Sequence, residues 1–127
     1  MDHVAITVIK VRDILMVSMP PDPDDSTIAA LQDRVLGAME KYSAKGLILD
    51  ISAVETLDSF FARTVSETAQ MVTLMGGRTI IVGMQPAVAM TATQMGLTLG
   101  DIETALSTER ALDQASKPAP PANRRRR

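Results

Sequence analysis

The run Leu47-Ile48-Leu49-Asp50-Ile51 constrains the fold more than any other stretch of the chain. Its apolar residues do not alternate with polar ones. A strand with one wet face alternates, whereas a strand covered on both faces, as in a parallel sheet, does not. After a turn, Phe61, Val65, Ala69 and Val72 recur at spacings of four, four and three, the repeat of an amphipathic helix. Asp58 is suited to cap that helix, because its carboxylate can accept from the orphan amides of the first turn. Gly76-Gly77 stops it, since glycine readily takes the left-handed conformation after a helix end. Ser59 is thereby placed where a helix N-terminus points out of the end of a sheet.

The flanking sequence extends this unit. Val4 to Val11 is β-branched and strand-like, and Ile14 to Met19 is a second strand. The two-residue gap between them predicts an antiparallel hairpin, although Arg12-Asp13 is not a favoured turn pair. Prolines 20, 21 and 23 forbid further pairing. Asp25 or Ser26 then caps a helix with a stripe at Ile28, Leu31, Val35, Met39 and Tyr42, ended by Lys45-Gly46. Arg78 to Gly83 is another short apolar strand. Pro86 suits the first turn of a helix running to about Met95, closed by Gly96. Asp101 to Leu106 reads as a last edge strand or a loop, and Ser107 or Thr108 caps a final helix to about Ala115.

The order β-β-α-β-α-β-α-(β)-α defines an α/β chain. Strand-helix-strand units imply right-handed crossovers and a mixed, mostly parallel sheet. The N-terminal hairpin adds the antiparallel strand, and four helices pack mainly on one side. One domain is expected over residues 1–116. Residues 117–127, rich in Pro, Ala and Arg, read as a disordered tail.

Composition narrows the function classes. At 127 residues the chain is one domain with room for a core. Aromatic residues make up 2%, and there are nine Met, so the core is expected to be aliphatic and methionine-rich. With no Cys, disulfides and thiolate metal sites are excluded, which fits a reducing cytoplasm. No apolar run approaches the roughly 18 residues of a membrane span, and the N-terminus lacks the pattern of a signal peptide. The net charge is -2, but Arg124 to Arg127 supply four of the 13 basic residues; nine against 15 acidic residues leave -6 for the rest. An acidic domain argues against a nucleic-acid face.

Few residues offer chemistry. His3 is the one histidine and lies beside the terminus, so no Ser-His or metal-His constellation can be assembled. Asp22, Asp24 and Asp25 have the ligand type of a calcium loop, but interleaved prolines and the lack of a downstream bidentate Glu make loop and helix cap the better reading. Gly76, Gly77 and Gly83 do not form a phosphate loop, since no GK[ST] or GxGxxG follows a strand. The terminal Arg run could touch RNA, anionic lipid or an acidic partner, or be a solvated tail. No metal or cofactor is implied, and the chain does not read as an enzyme.

The stretch LILDISAVETLDSF resembles the signature of STAS domains, the anti-sigma-factor-antagonist fold. In that signature a strand ending in Asp leads through a short turn to Asp-Ser at the next helix. VSMPPDPDD, LDSFFAR, LMGGRTIIVGMQPAVAMT and DIETAL further resemble the RsbS-like group, the single-domain stressosome scaffolds, over roughly residues 4–115. The first strand starts at once in this sequence, so by the resemblance the chain is expected to lack the N-terminal sensor domain of RsbR-type paralogues.

The resemblance implies a non-catalytic cytoplasmic protein that co-assembles with RsbR-like STAS paralogues and holds an RsbT-like serine kinase. Phosphorylation of the scaffold releases the kinase, and an RsbX-like phosphatase resets it. A homodimer and a higher-order assembly are implied too, with no nucleic acid and no membrane. Carried over by motif, the phosphoacceptor is Ser59, and Asp58, Phe60, Glu55 and Thr56 frame a partner-binding surface with it. Simpler anti-sigma antagonists usually continue Asp-Ser-Ser-Gly. Here Phe60-Phe61 follow, which weighs against the alternative of a direct anti-sigma-factor antagonist. Ser26, Thr27, Ser52 and Thr56 are competing hydroxyls whose ordinary role is turn or cap hydrogen bonding. The helix after Pro86, with Val88, Met90 and Met95, and the edge of the opening hairpin are candidate assembly surfaces, although both patterns also suit a core.

Overall fold

The computed structural model describes residues 6–96 and 102–118. Five strands form one sheet: β1 (Thr7–Val11), β2 (Ile14–Ser18), β3 (Gly46–Asp50), β4 (Arg78–Val82) and β5 (Ile102–Ala105). Their spatial order is their chain order. β1 pairs antiparallel with β2 in the register Val11↔Ile14, so Arg12-Asp13 is a two-residue turn. Arg12 meets its demand by adopting φ 58. The other pairings, β2 with β3, β3 with β4 and β4 with β5, are parallel.

The missing alternation in β3 is explained by its cover. Leu47 and Leu49 enter one buried cluster, with α1 (Asp25–Tyr42), α2 (Ser59–Leu74) and α3 (Pro86–Gln94). Ile48 enters the cluster on the opposite face, beneath Ala111 of α4 (Thr108–Ala115). Three helices therefore cover one face and one covers the other. The stripe Phe61, Val65, Ala69 and Val72 is buried as its spacing requires, and Gly76 ends that run at φ +90.

Several boundaries differ from the sequence reading. α1 is capped by Asp24, whose side chain accepts from Thr27 N–H at 2.8 Å, and not by Asp25 or Ser26. It stops at Tyr42 because Ser43 turns left-handed (φ 49), three residues before Gly46. Tyr42 lies outside the core at 42% exposure, with the ammonium groups of Lys10 and Lys41 within 6 Å of its ring. The core is aliphatic but not methionine-rich: among the described residues only Met19 and Met39 are buried methionines, while Met71, Met75, Met90 and Met95 face out. Val88 is buried at 1%, so it belongs to the core and not to an outer face of α3. The first strand begins at Thr7; Val4 and Ala5 of its expected span, and residues 119–127 of the Pro/Ala/Arg-rich tail, lie outside the described residues. Lys117 is described, and its carbonyl accepts from Arg78 Nη1 at 2.5 Å. No helix among the described residues is long and apolar enough to cross a membrane.

Candidate functional site

Parallel strands place their C-terminal ends, and the helices that follow them, at one edge of the sheet. The N-termini of α1, α2 and α3 gather there, with the loops after β2, β3 and β4. The loop after β3 is fastened from below. Ile51 and Val54 are buried in the main cluster. Ser52 N–H donates to the Asp50 carboxylate at 2.9 Å, and Val54 N–H to the Ile51 carbonyl at 3.0 Å. This explains why a strand ends in Asp here: the side chain satisfies an amide that the sheet no longer can.

Its neighbours fasten the same loop from the sides. Glu55 N–H donates to the Pro21 carbonyl at 3.3 Å. Gln85 Nε2 donates to the Ser52 carbonyl at 2.8 Å. Gly83 permits the second contact. It has φ +79, and a Cβ there would lie 2.7 Å from Ser52 Cβ. Apolar anchors and these bonds hold the loop rigid while Ser52, Ala53, Glu55 and Thr56 stay exposed.

The loop ends at Asp58, which caps α2 from an extended conformation (φ -107, ψ 175) by accepting from Phe61 N–H at 2.8 Å. The first helical bond runs from Ala62 N–H to the Asp58 carbonyl at 3.0 Å. The amides of Ser59 and Phe60 precede that bond and point out of the helix end with its partial positive charge. Ser59 is the first helical residue and is exposed. Phe60 is half-buried against the main cluster. The structure thus brings Glu55, Thr56, Asp58, Ser59 and Phe60 together at one loop-helix junction. Ser52 shares that loop. Ser26 donates to the Asp24 carboxylate at 3.1 Å, and Thr27 is 2% exposed, sealed from any modifying enzyme.

Two residues were not singled out from sequence. Gln85 clamps the loop through its backbone, a contact with no local signature. Arg63, exposed one turn beyond Ser59, lies with its guanidinium 5.9 Å from the centroid of the Phe60 ring. Its spacing of four from Ser59 was a readable signal. The edge is otherwise acidic. Asp22, Asp24, Asp25, Glu55 and Asp58 are all exposed, and residues 20–33, 51–62 and 83–96 contain no Lys or Arg.

A five-stranded mixed sheet with this helix arrangement and an Asp-Ser helix start defines a STAS domain. The STAS domain model matches residues 5–111, and the chain belongs to that family. Within it, the chain is similar to RsbS of Moorella thermoacetica, solved as a serine-to-glutamate variant. The two are 33% identical, with a TM-score of 0.78, over 87% of this chain and 94% of that one. A chain from the molecular architecture of the stressosome, described as a signal integration and transduction hub, is 32% identical. Its TM-score is 0.73 over 87% of this chain and 96% of that one. The RsbT co-antagonist protein RsbRA of Bacillus subtilis (strain 168) is 21% identical over 92 residues, 72% of this chain. The chain spans about a third of the length of such curated relatives, 34% and 37% for two RsbR paralogues.

Proposed function

We propose that this chain is a non-catalytic stressosome scaffold whose Ser59 is the phosphoacceptor that governs its hold on an RsbT-like serine kinase. One observation carries the reading: Ser59 stands exposed at a helix start whose cap is already supplied by Asp58. Its hydroxyl is therefore free for chemistry without cost to the helix. The γ-phosphoryl group of ATP passes to Ser59 Oγ. One O–P bond forms, the bond to ADP breaks, and the hydroxyl proton goes to a base of the kinase.

The fold tolerates the product. A phosphate adds about -1.5 to -2 charges. At an exposed helix N-terminus the dipole favours such charge by about 0.3–1 kcal/mol. The surface does not tolerate it equally well. Asp58 and Glu55 already crowd the junction with negative charge. A partner docked over Phe60 meets repulsion and a desolvation cost, and lets go. Co-assembly with RsbR-like STAS paralogues, and resetting by an RsbX-like phosphatase, complete the cycle.

The test is intact-mass analysis with peptide mapping after incubation with ATP and the RsbT-like kinase of the same organism. One added phosphate on Ser59, absent from Ser59→Ala, is the expected result. Phosphate only on other residues, or none, refutes the assignment. Co-migration with that kinase and with RsbR-like proteins, and not with a sigma-regulating kinase, separates the scaffold from a direct anti-sigma-factor antagonist.

A further inference from the structure

We propose that Arg63 binds the phosphate once Ser59 carries it, so that modification pulls the guanidinium off Phe60 and remodels the docking face. This rests on the phosphoacceptor reading above and concerns what the phosphate does after it arrives. Ser59 and Arg63 are four residues apart on α2, which places their side chains on the same face one turn apart. The acidic group would be N-terminal to the basic one, the better orientation for such a pair. Arg63 is exposed, and its guanidinium rests 5.9 Å from the Phe60 ring centroid.

The competition has a clear winner. A ring face offers a cation its quadrupole alone. A phosphate dianion offers a full charge and three acceptor oxygens, which the guanidinium fork can engage through two N–H groups at once. Among the described residues, the segments 20–33, 51–62 and 83–96 contain no Lys or Arg, so these loops and helix starts bring no second basic side chain to the phosphate. Glu55 and Asp58, exposed in the loop and cap just before Ser59, repel the phosphate, while Arg63 one turn further on attracts it. Two changes follow from one modification. The charge of Arg63 is neutralised, so an acidic contact of a partner loses its mate. The Phe60 ring, half-buried at its base, loses the cation that covered it. The switch is then a rearrangement of Arg63 and Phe60 as well as an added charge.

The experiment uses the full chain with phosphoserine installed at position 59 during synthesis, so it needs no kinase. The second ionisation of the phosphate, ordinarily near about 6, is followed by ³¹P NMR in the parent chain, in Arg63→Gln and in Arg63→Lys. Helix dipole and acidic neighbours are common to all three, so the differences report Arg63. The expected result is an ionisation about 0.5 higher in Arg63→Gln, with Arg63→Lys between, since lysine keeps the charge and loses the fork. Identical curves in the parent and Arg63→Gln overturn the proposal. A second measurement needs no substitution: the Arg63 Nε–H resonance moves downfield in the phosphorylated parent chain, and an unmoved resonance overturns the proposal too. The mass mapping above decides separately whether a kinase modifies Ser59, so failure of one reading is distinguishable from failure of the other.

Discussion

Asp58 and Ser59 are adjacent in the chain and have different physical tasks. The Asp58 carboxylate satisfies the Phe61 amide at 2.8 Å, while Ser59 begins the helix with its side chain in solvent. Asp58→Ala therefore removes a cap and should cost about 1 kcal/mol. Ser59→Ala removes no structural bond and should stay within about 0.5 kcal/mol of the parent. Urea unfolding of the two variants checks the split, and equal losses would mean that the hydroxyl shares the cap. Gly83 is the other residue on which the junction depends. Alanine there meets both a left-handed backbone and a Ser52 Cβ 2.7 Å away. Gly83→Ala should cost about 1–3 kcal/mol, and faster amide exchange at Ser52 to Val54 should show that the loop has lifted. The Asp-Ser start of α2 was legible because a cap needs only its own next three residues. The contacts of Gly83 and Gln85 with Ser52 were not, because they join residues about thirty apart whose meeting depends on the sheet.

Among the elements, β5 and α4 are held by polar contacts more than the rest of the sheet. Arg78 at the start of β4 grips Glu103 of β5 through two bonds, 2.6 and 2.9 Å, and Gln114 of α4 adds a third at 2.9 Å. Partial burial pushes the Glu103 carboxyl up, but the bonds from Arg78 and Gln114 and the charge of Arg78 outweigh it and hold it below its ordinary value. The native state thus binds this proton less tightly than the unfolded chain does. Its stabilisation is complete above the ordinary glutamate value of about 4.3 and is lost as pH falls through the lowered native value. Urea midpoints measured from about pH 3 to 7 should fall less steeply on the acid side for Glu103→Gln than for the parent; parallel curves would show that the pair contributes nothing to acid stability. The helix reading of α2 succeeded from one end to the other because stripe, cap and glycine stop agree. The start of α1 did not, since Asp24, Asp25 and Ser26 are all good caps and only the path of the preceding loop selects Asp24. Its end was misplaced because Ser43, not a glycine, takes the left-handed turn.

At the scale of the whole molecule, the surfaces left over bear on assembly. β1 is an edge strand with Ile9 at 53% exposure, and α3 presents Met90 at 64%. An unpaired edge and an exposed methionine are both available to a second copy or a paralogue. If the chain assembles through either, Ile9→Lys or Met90→Lys should lower its sedimentation coefficient while leaving its melting temperature unchanged. Full-sized assemblies in both variants would send the search elsewhere on the surface. The sequence by itself determined the element order apart from β5, whose residues read as strand or loop, the two-sided burial of β3 and the cap that puts Ser59 at a helix start, because periodicity and capping are local properties of the chain. It also carried the STAS resemblance. Only the tertiary structure decided which methionines face solvent, which loops clasp the junction, and that the Arg63–Phe60 pair sits beside an edge otherwise lined with acids. The methionine exposures and the loop contacts depend on which residues parallel pairing and helix packing bring within a few ångströms of one another, which no spacing along the chain encodes; the Arg63–Phe60 contact is an i,i+3 neighbour pair on α2 and only its place beside the acidic loops is tertiary.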